Sequence, residues 1–424
     1  MSDERREFAV EVVRRLREKG FVACWAGGCV RDLLMGRAPQ DYDVATSATP
    51  SEVRTVFGPR KTLAVGESFG VIIVKGSPRT GHVEVATFRR EGPYSDARRP
   101  DHVTFSSPEE DAKRRDFTVN GMFYDPLEER VIDYVDGQAD LEARVVRAIG
   151  DPHDRMREDR LRMLRAVRFA AILDFALEPQ TADAIREMRE GVRQVSAERI
   201  AQELQKMLVH RRRRRSIELA ADTGLLPILV PELPPLDPAA PTPEWNATLQ
   251  ALDDLTAPSF EIAFSIVLRT LGASAKGKRS GAGGAVDEIC LRLRLSNQQR
   301  SHIVWLAENQ REMDGLERAE PWEWKRFLQQ PWAADLLTQQ SLIRRHTGED
   351  LDPIEFLLDL RSRLTADEIN PPPLVTGESL IARGLPPGPG FRDILDRIRN
   401  AQLNGEVSTP DEALALVDRL RPSS

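Results

Sequence analysis

The sequence predicts an α+β head followed by a long all-helical neck, body and tail. Two observations carry this expectation. Short apolar runs bounded by glycine and charge crowd into the first third of the chain. From about residue 138 onward, apolar residues recur at helical spacing instead, with no internal repeat. A segregated order of strands first and helices after is the pattern of an α+β architecture. The expected divisions are residues 1–137 for the head, 138–215 for a helical neck, and 216–424 for body and tail.

Taken in order, residues 4–18 (ERREFAVEVVRRLRE) alternate charged and apolar groups at helical spacing and predict an amphipathic opening helix. FVACWAGG reads as a short strand running into a glycine turn, and VRDLLMG as a helix closed by Gly36. Strand-like runs recur at YDVAT, GVIIVKG and HVEVATF, and the stretch from Pro93 to Pro108 is polar and loop-like. FTVNGMFYDP and RVIDYVDG complete the β-containing part. Within the helical remainder, breaks fall at the proline-rich stretch 227–243, at the Gly/Ser/Lys segment 272–284 (a flexible loop by composition), and at Pro371–Pro373. A last helical section ends at Leu420.

Composition narrows the class. At 424 residues, 41% hydrophobic and 30% charged, the chain suits two or three globular domains. No window of eighteen uncharged apolar residues is present, so no membrane span is expected. The N-terminus, MSDERREF, lacks an apolar signal core, which points to the cytoplasm. Cys24, Cys29 and Cys290 cannot build a disulfide framework and have no zinc-ligand spacing, so all three are expected as buried apolar residues. The net charge of −7 argues at first against a polyanionic partner. Residues 151–215, however, hold 16 Lys/Arg against 11 Asp/Glu, a balance of +5 that leaves −12 for the rest. Such asymmetry allows a local phosphate-binding surface, densest at Arg211–Arg215, although a solvated helix end would look the same.

The chemistry gathers at two places in the head. Asp41 and Asp43 flank Tyr42 at the start of an apolar run, and in a strand residues i and i+2 share a face. Paired carboxylates of this kind suit magnesium, which can activate an attacking hydroxyl and stabilise a leaving phosphate oxygen. A third carboxylate could come from Glu84 in HVEVATF. A D-x-D pair alone says little, since most are turn or surface residues. Just upstream lies Gly27-Gly28-Cys29-Val30-Arg31-Asp32. Glycines let backbone amides approach a phosphate chain closely, and Arg31 at the following helix start can pair with its oxygens.

GGCVRDLLMGRAPQDYDVAT, RRDFTVNG at 114–121 and REDRLRMLRAVRFA at 157–170 together resemble the class II tRNA nucleotidyltransferases, which include CCA-adding enzymes and bacterial poly(A) polymerases. The resemblance covers roughly the first 210 residues, with weaker echoes beyond. It implies a head related to DNA polymerase β. It also implies metal ligation by Asp41 and Asp43, triphosphate binding by Gly28 and Arg31 in the Gly27–Gly28 turn, and nucleotide contacts from Arg115, Asp116 and Asn120, with Asp116 reading the ribose. Gly121 stands where the family usually has alanine. In the neck motif Glu158-Asp159-Arg160-Leu161-Arg162, the resemblance assigns Asp159 and Arg162 to the edge of the incoming base. Arg165 and Arg168 would help hold the nucleotide, and Glu158 is expected to orient Arg162. Three-residue steps would put Asp159, Arg162 and Arg165 on one helical stripe, with Leu161, Leu164 and Val167 turned to the core and Arg168 at the edge of the apolar face. AERIAQEL at 197–204 resembles a further neck motif, whose Glu198, Arg199 and Glu203 are expected to brace helices by ion pairs.

The implied activity is template-independent addition of CCA to tRNA from CTP and ATP with Mg2+, the partner being the tRNA 3′ end and acceptor arm. Poly(A) polymerase and A-only addition are the alternatives. The polar segment Arg89–Lys113, with Arg98, Arg99 and Asp101, resembles a loop found in CCA- and A-adding enzymes and missing from CC-adding ones. The stretch from Val375 resembles the tails of CCA-adding enzymes and lacks a strongly basic end. With six histidines and a single His-Asp pair, His153-Asp154, no metal-dependent phosphohydrolase domain is expected. The sequence does not reveal the oligomeric state, and a monomer is favoured.

Overall fold

The computed structural model describes residues 2–64, 70–91, 103–272, 282–385 and 389–420. The chain divides into two compact units, Met1–Pro231 and Glu232–Ser424. Among the described residues, no helix is long and apolar enough to cross a membrane.

The first unit opens with helix α1 (Ser2–Glu18), β1 (Ala23–Ala26), α2 (Gly28–Leu34), β2 (Asp43–Thr46) and α3 (Pro50–Phe57). Thr49 and Glu52 close a capping box at the start of α3, which satisfies two otherwise orphaned amides. Strands β3 (Thr62–Leu63), β4 (Val71–Lys75) and β5 (His82–Thr87) follow, then a ribbon of β6 (Arg89–Glu91) and β7 (Val103–Phe105), and α4 (Pro108–Lys113). β8 (Phe123–Asp125) and β9 (Arg130–Ile132) complete a seven-stranded sheet of order β3-β4-β5-β2-β1-β8-β9. All its pairings are antiparallel except β2 with β5, which run parallel with Asp43 level with Glu84.

The two faces of this sheet differ. Trp25, Val44, Ile72, Val74, Val83 and Val85 point to one side, where Ala9, Val12, Val13 and Leu16 of α1 and Val53 and Phe57 of α3 cover them. The opposite side carries only the smaller cluster of Cys24, Ala26, Ala45, Phe88, Ala112 and Phe123, leaving Asp43 and Glu84 outside the core. One face thus stabilises the fold while the other is left for chemistry.

Helical structure then takes over through α5 (Gly137–Ala143), α6 (Pro152–Glu158), α7 (Arg162–Leu173), α8 (Pro179–Met188), α9 (Ala197–Leu208), α10 (Arg213–Asp222) and α11 (Leu226–Leu229). Among the described residues, the helical character expected from 138 is broken where β10 (Val145–Val146) pairs in parallel with β11 (Ala176–Leu177). The expected loop from Pro93 to Pro108 is partly regular, because β7 pairs with β6 and α4 begins at Pro108. Arg98, Arg99 and Asp101 lie outside the described residues. The run Arg211–Arg215 is not uniformly solvated: Arg213 is buried and donates Nε to the Leu208 carbonyl at 3.0 Å, whereas Arg211 and Arg215 are exposed.

In the second unit, α12 (Pro243–Asp254), α13 (Phe260–Val267) and the helix Ala333–Thr347 pack together, with buried Gln339 donating to Ser265 at 2.8 Å. A separate core of Val375, Leu380, Ile398, Ala401, Val407, Ala413 and Val417 joins the last helices, from Gly377–Ala382 to Pro410–Leu420. The segment expected as a loop through 284 yields its last residues to the helix Ala282–Arg292. All three cysteines are buried, as their composition suggested.

Candidate active site

β2 and β5 set the acidic end of the site. Asp43 opens β2, and its side chain reaches solvent on the sheet face away from α1. The surrounding protein desolvates the Asp43 carboxyl, Glu84 and Asp41 add like charge, and Arg115 and His82 only partly offset them, so its pKa is pushed up to about 6. Asp41 is not part of the strand. It lies in a bend two residues ahead, so alternation along β2 does not by itself place it beside Asp43. Tyr42 between them is buried against Trp25, their ring centroids 4.6 Å apart, and this anchors the segment on the core side. Asp41 also lines an open polar cleft with Arg5, Gln40, Thr80 and His82.

Among the described residues, no three His, Cys, Asp or Glu side chains converge closely enough to form a metal centre of their own. The donor set still fits a hard cation. A desolvated carboxylate such as Asp43, crowded by like charge, is relieved by positive charge, and magnesium commonly takes one or two protein carboxylates and completes its shell with phosphate and water.

Gly27 forms the turn between β1 and α2 with φ at +74°, a conformation an L side chain rarely adopts. A Cβ there would stand 3.1 Å from Arg115 Nη1. Arg31, from α2, is buried and donates Nη1 to Asn120 Oδ1 at 2.7 Å and Nε to Asp32 Oδ1 at 2.9 Å. Arg115 is held by Asp111, to whose Oδ2 it donates Nε and Nη2 at 3.2 and 3.1 Å. Burial opposes ionisation of Asp111, but the Arg114 and Arg115 guanidiniums keep its pKa below the usual carboxylate range.

Asp116 links head to neck. Its Oδ1 accepts from the Phe117 amide at 2.8 Å and from Asn120 Nδ2 at 3.2 Å, while its Oδ2 accepts from Arg165 Nε and Nη2 at 2.9 and 2.6 Å. Burial works against its charge, yet the Arg165 guanidinium holds its pKa below the ordinary value.

The neck motif departs from the expected single helix. α6 ends at Glu158, Asp159 is extended with φ −142°, and α7 begins at Arg162. Asp159 therefore sits in a break, not on a stripe with Arg162 and Arg165. Nor do Asp159 and Arg162 pair with each other. Asp159 accepts from Arg199 Nη1 and Nη2, at 3.1 Å on Oδ1 and 2.6 Å on Oδ2. Arg162 donates Nη1 to Glu158 and to the Arg155 carbonyl, and Nη2 to the Arg114 carbonyl at 3.1 Å. Glu158 thus contacts Arg162 as expected. Leu161, Leu164 and Val167 are buried. Arg168 lies deeper than the edge position assigned to it: it is buried, with Nε donating to buried Glu203 at 2.5 Å.

Phe169 was not singled out from the sequence. Its ring lies 5.4, 5.3 and 4.1 Å from the guanidinium carbons of Arg31, Arg165 and Arg168, so one aromatic side chain gathers three of the expected nucleotide-binding arginines. Asp111, which orients Arg115, was also missed. Its place in the acidic turn of α4 carried no signal beyond helix-start preference.

Known proteins resemble this chain along most of its length. Residues 23–147 match the family model for the poly A polymerase head domain, and residues 174–236 the model for a probable RNA and SrmB-binding site of polymerase A. The CCA-adding enzyme of Lactobacillus johnsonii is 43% identical over 218 residues, a match that takes in 51% of this chain and only 54% of that protein, so it spans about half of the relative's length. The CCA-adding enzyme of Bacillus licheniformis is 35% identical over 415 residues, covering 96% of each chain. A solved structure of the Bacillus stearothermophilus CCA-adding enzyme in complex with CTP is 30% identical, with a TM-score of 0.72, over 97% of this chain and 96% of that one. An α+β polymerase-type head, a helical remainder and near full-length similarity together place the chain in the family of the CCA-adding enzymes.

Proposed function

We propose that this protein is a template-independent nucleotidyltransferase that adds CCA to the 3′ end of tRNA from CTP and ATP. The observation that supports the reading is Asp43 of β2 level with Glu84 of β5, with Asp41 and Arg115 near enough to act on its charge, and Arg115 in turn 3.1 Å from where a Cβ at Gly27 would stand. In this reading residues 1–137 perform the transfer, 138–215 select the nucleotide, and 216–424 hold the tRNA.

Asp41 and Asp43 would hold magnesium, with Glu84 alongside; when bound, the metal supplies charge neutralisation at phosphate and acidifies the attacking hydroxyl. The chain's own groups do the rest. Arg31 and Arg115, each oriented by a carboxylate, draw the triphosphate toward Gly27 and Gly28. Asp116 and Asn120 face the sugar, Arg165 and Arg168 hold the nucleotide, and Asp159 and Arg162 face the base. The RNA 3′ hydroxyl gives up its proton to solvent, its oxygen bonds to the α-phosphorus as the bond to the bridging oxygen breaks, and pyrophosphate leaves.

CTP and ATP share an amino donor beside an unprotonated ring nitrogen, whereas UTP and GTP present the reverse. A carboxylate beside a guanidinium therefore suits the first two and leaves unpaired groups with the others. Binding of tRNA through phosphates should weaken as salt rises.

The test is sequencing of RNA 3′ ends after incubating the protein and magnesium with tRNAs ending before CCA, after C and after CC. Completion of CCA on all three, followed by a stop, is expected. Long A tails on varied RNAs, or A added only after CC, would refute the reading.

A further inference from the structure

We propose that Arg199 is a specificity-determining positioning residue, which fixes the Asp159 carboxylate and thereby the choice between bases bearing an amino group and bases bearing a carbonyl at the same edge. The inference rests on the reading of Asp159 and Arg162 as the base-facing pair.

Asp159 lies in the break between α6 and α7, where no helical ladder holds it. Its side chain is held instead by α9, forty residues along the chain, through the two-pronged contact from Arg199. The Leu161 amide adds a bond to Oδ1 at 3.0 Å. Oδ1 thus accepts from Arg199 and Leu161, which occupies both its lone pairs, while Oδ2 accepts from Arg199 alone among the described residues. One acceptor site remains, on an oxygen that cannot turn away. The side chains of Arg199 and Asp159 keep 22% and 16% of their exposure, so the pair is accessible to a ligand without being loose.

An oxygen with a fixed, open lone pair accepts from the amino group of cytosine or adenine and repels the carbonyl oxygen of uracil or guanine. A carboxylate free to rotate could swing aside and let water meet that carbonyl, and the discrimination would fade. Arg162 is fastened separately by Glu158 and by the Arg155 and Arg114 carbonyls. Loss of Arg199 therefore releases the acceptor and leaves the donor in place.

The experiment measures kcat/KM for CTP, UTP, ATP and GTP with the full chain and tRNA primers, for the unaltered protein, Arg199→Gln, Arg199→Lys and Arg162→Ala, alongside thermal melts. The expected result for Arg199→Gln is a CTP-to-UTP and ATP-to-GTP preference reduced roughly tenfold or more, on the scale of a lost charged hydrogen bond. Arg199→Lys, which keeps the charge but not the fork, should regain part of that preference and serves where Arg199→Gln does not fold. A bracing role alone would scale all four nucleotides together, and that outcome, or unchanged ratios, overturns the proposal. If the unaltered protein adds no nucleotide, or Arg162→Ala keeps full selectivity, the parent reading of the site falls as well.

Discussion

Removing the Glu203 carboxylate should cost more than any surface ion pair in this protein. Glu203 and Arg168 retain 2% and 7% of their exposure and meet at 2.5 Å, so Glu203→Ala strands a buried guanidinium. Breaking such a pair costs about 3–5 kcal/mol. The lower end applies here, because Arg168 keeps its place over the Phe169 ring at 4.1 Å and Lys206, the other partner of Glu203, is largely solvated. The assay is urea denaturation followed by far-ultraviolet circular dichroism. Because the urea slope of a chain this size is at or above the ~3 kcal/mol/M upper end for small proteins, a loss of ~3 kcal/mol should lower the midpoint by roughly 0.5–1 M. The double variant Arg168→Met with Glu203→Leu should recover most of that loss, since apolar replacements of a buried pair are often neutral. It should still bind nucleotide poorly, which separates the fold's need for the pair from the site's need for Arg168. A cost below ~1 kcal/mol for Glu203→Ala, the range of solvated pairs, would refute the reasoning. So would a double variant as unstable as the single one.

Asp43→Ala should abolish nucleotide incorporation without lowering the melting temperature, because it removes a repelled carboxylate; retained turnover would remove Asp43 from the metal site. In the metal-free protein this group, at about 6 against an ordinary 3.8, disfavours folding progressively as pH rises through that window, and titrating magnesium should reverse the trend. Gly27→Ala puts a Cβ at φ +74° and 3.1 Å from Arg115 Nη1, so it should cost ~1–2 kcal/mol in a melt and raise KM for nucleotide several-fold; an unchanged KM would show that Arg115 does not reach the substrate. Burial pushes the Cys24, Cys29 and Cys290 thiols up to about 12, 11 and 12. They should resist alkylation near neutral pH until the chain is denatured. The stability they contribute is intact below their ordinary value of 9.0 and is lost as pH climbs from there.

What could be read directly from the sequence was whatever depends on short-range pattern. The alternation in HVEVATF fixed a strand whose valines are buried and whose Glu84 is not, and the spacing of Leu161, Leu164 and Val167 fixed a buried helical face. The break at Asp159 escaped because REDRLRM contains neither proline nor glycine. Aspartate is nonetheless a turn-favouring residue, and the bond its Oδ1 accepts from the Leu161 amide two residues on is that preference realised. The pairing of Asp159 with Arg199, and of Arg168 with Glu203, joins residues 40 and 35 positions apart, which no local pattern reports. Phe169 went unnoticed for a related reason: a single aromatic on an apolar helix face looks like core until three arginines are seen around it.

The parallel pairing of β2 with β5 makes the alignment of the acidic groups inseparable from the stability of the head. Sliding β5 by one residue against β2 would bring Val83 or Val85 to the level of Asp43 and drive Glu84 into the layer beneath α1 and α3. Burying that carboxylate and wetting two valines would each cost several kcal/mol. Misalignment therefore cannot accumulate as a small defect in activity. A mutation that loosens the strand pair will show itself as loss of folded protein, and molecules that do fold will carry their carboxylates in register.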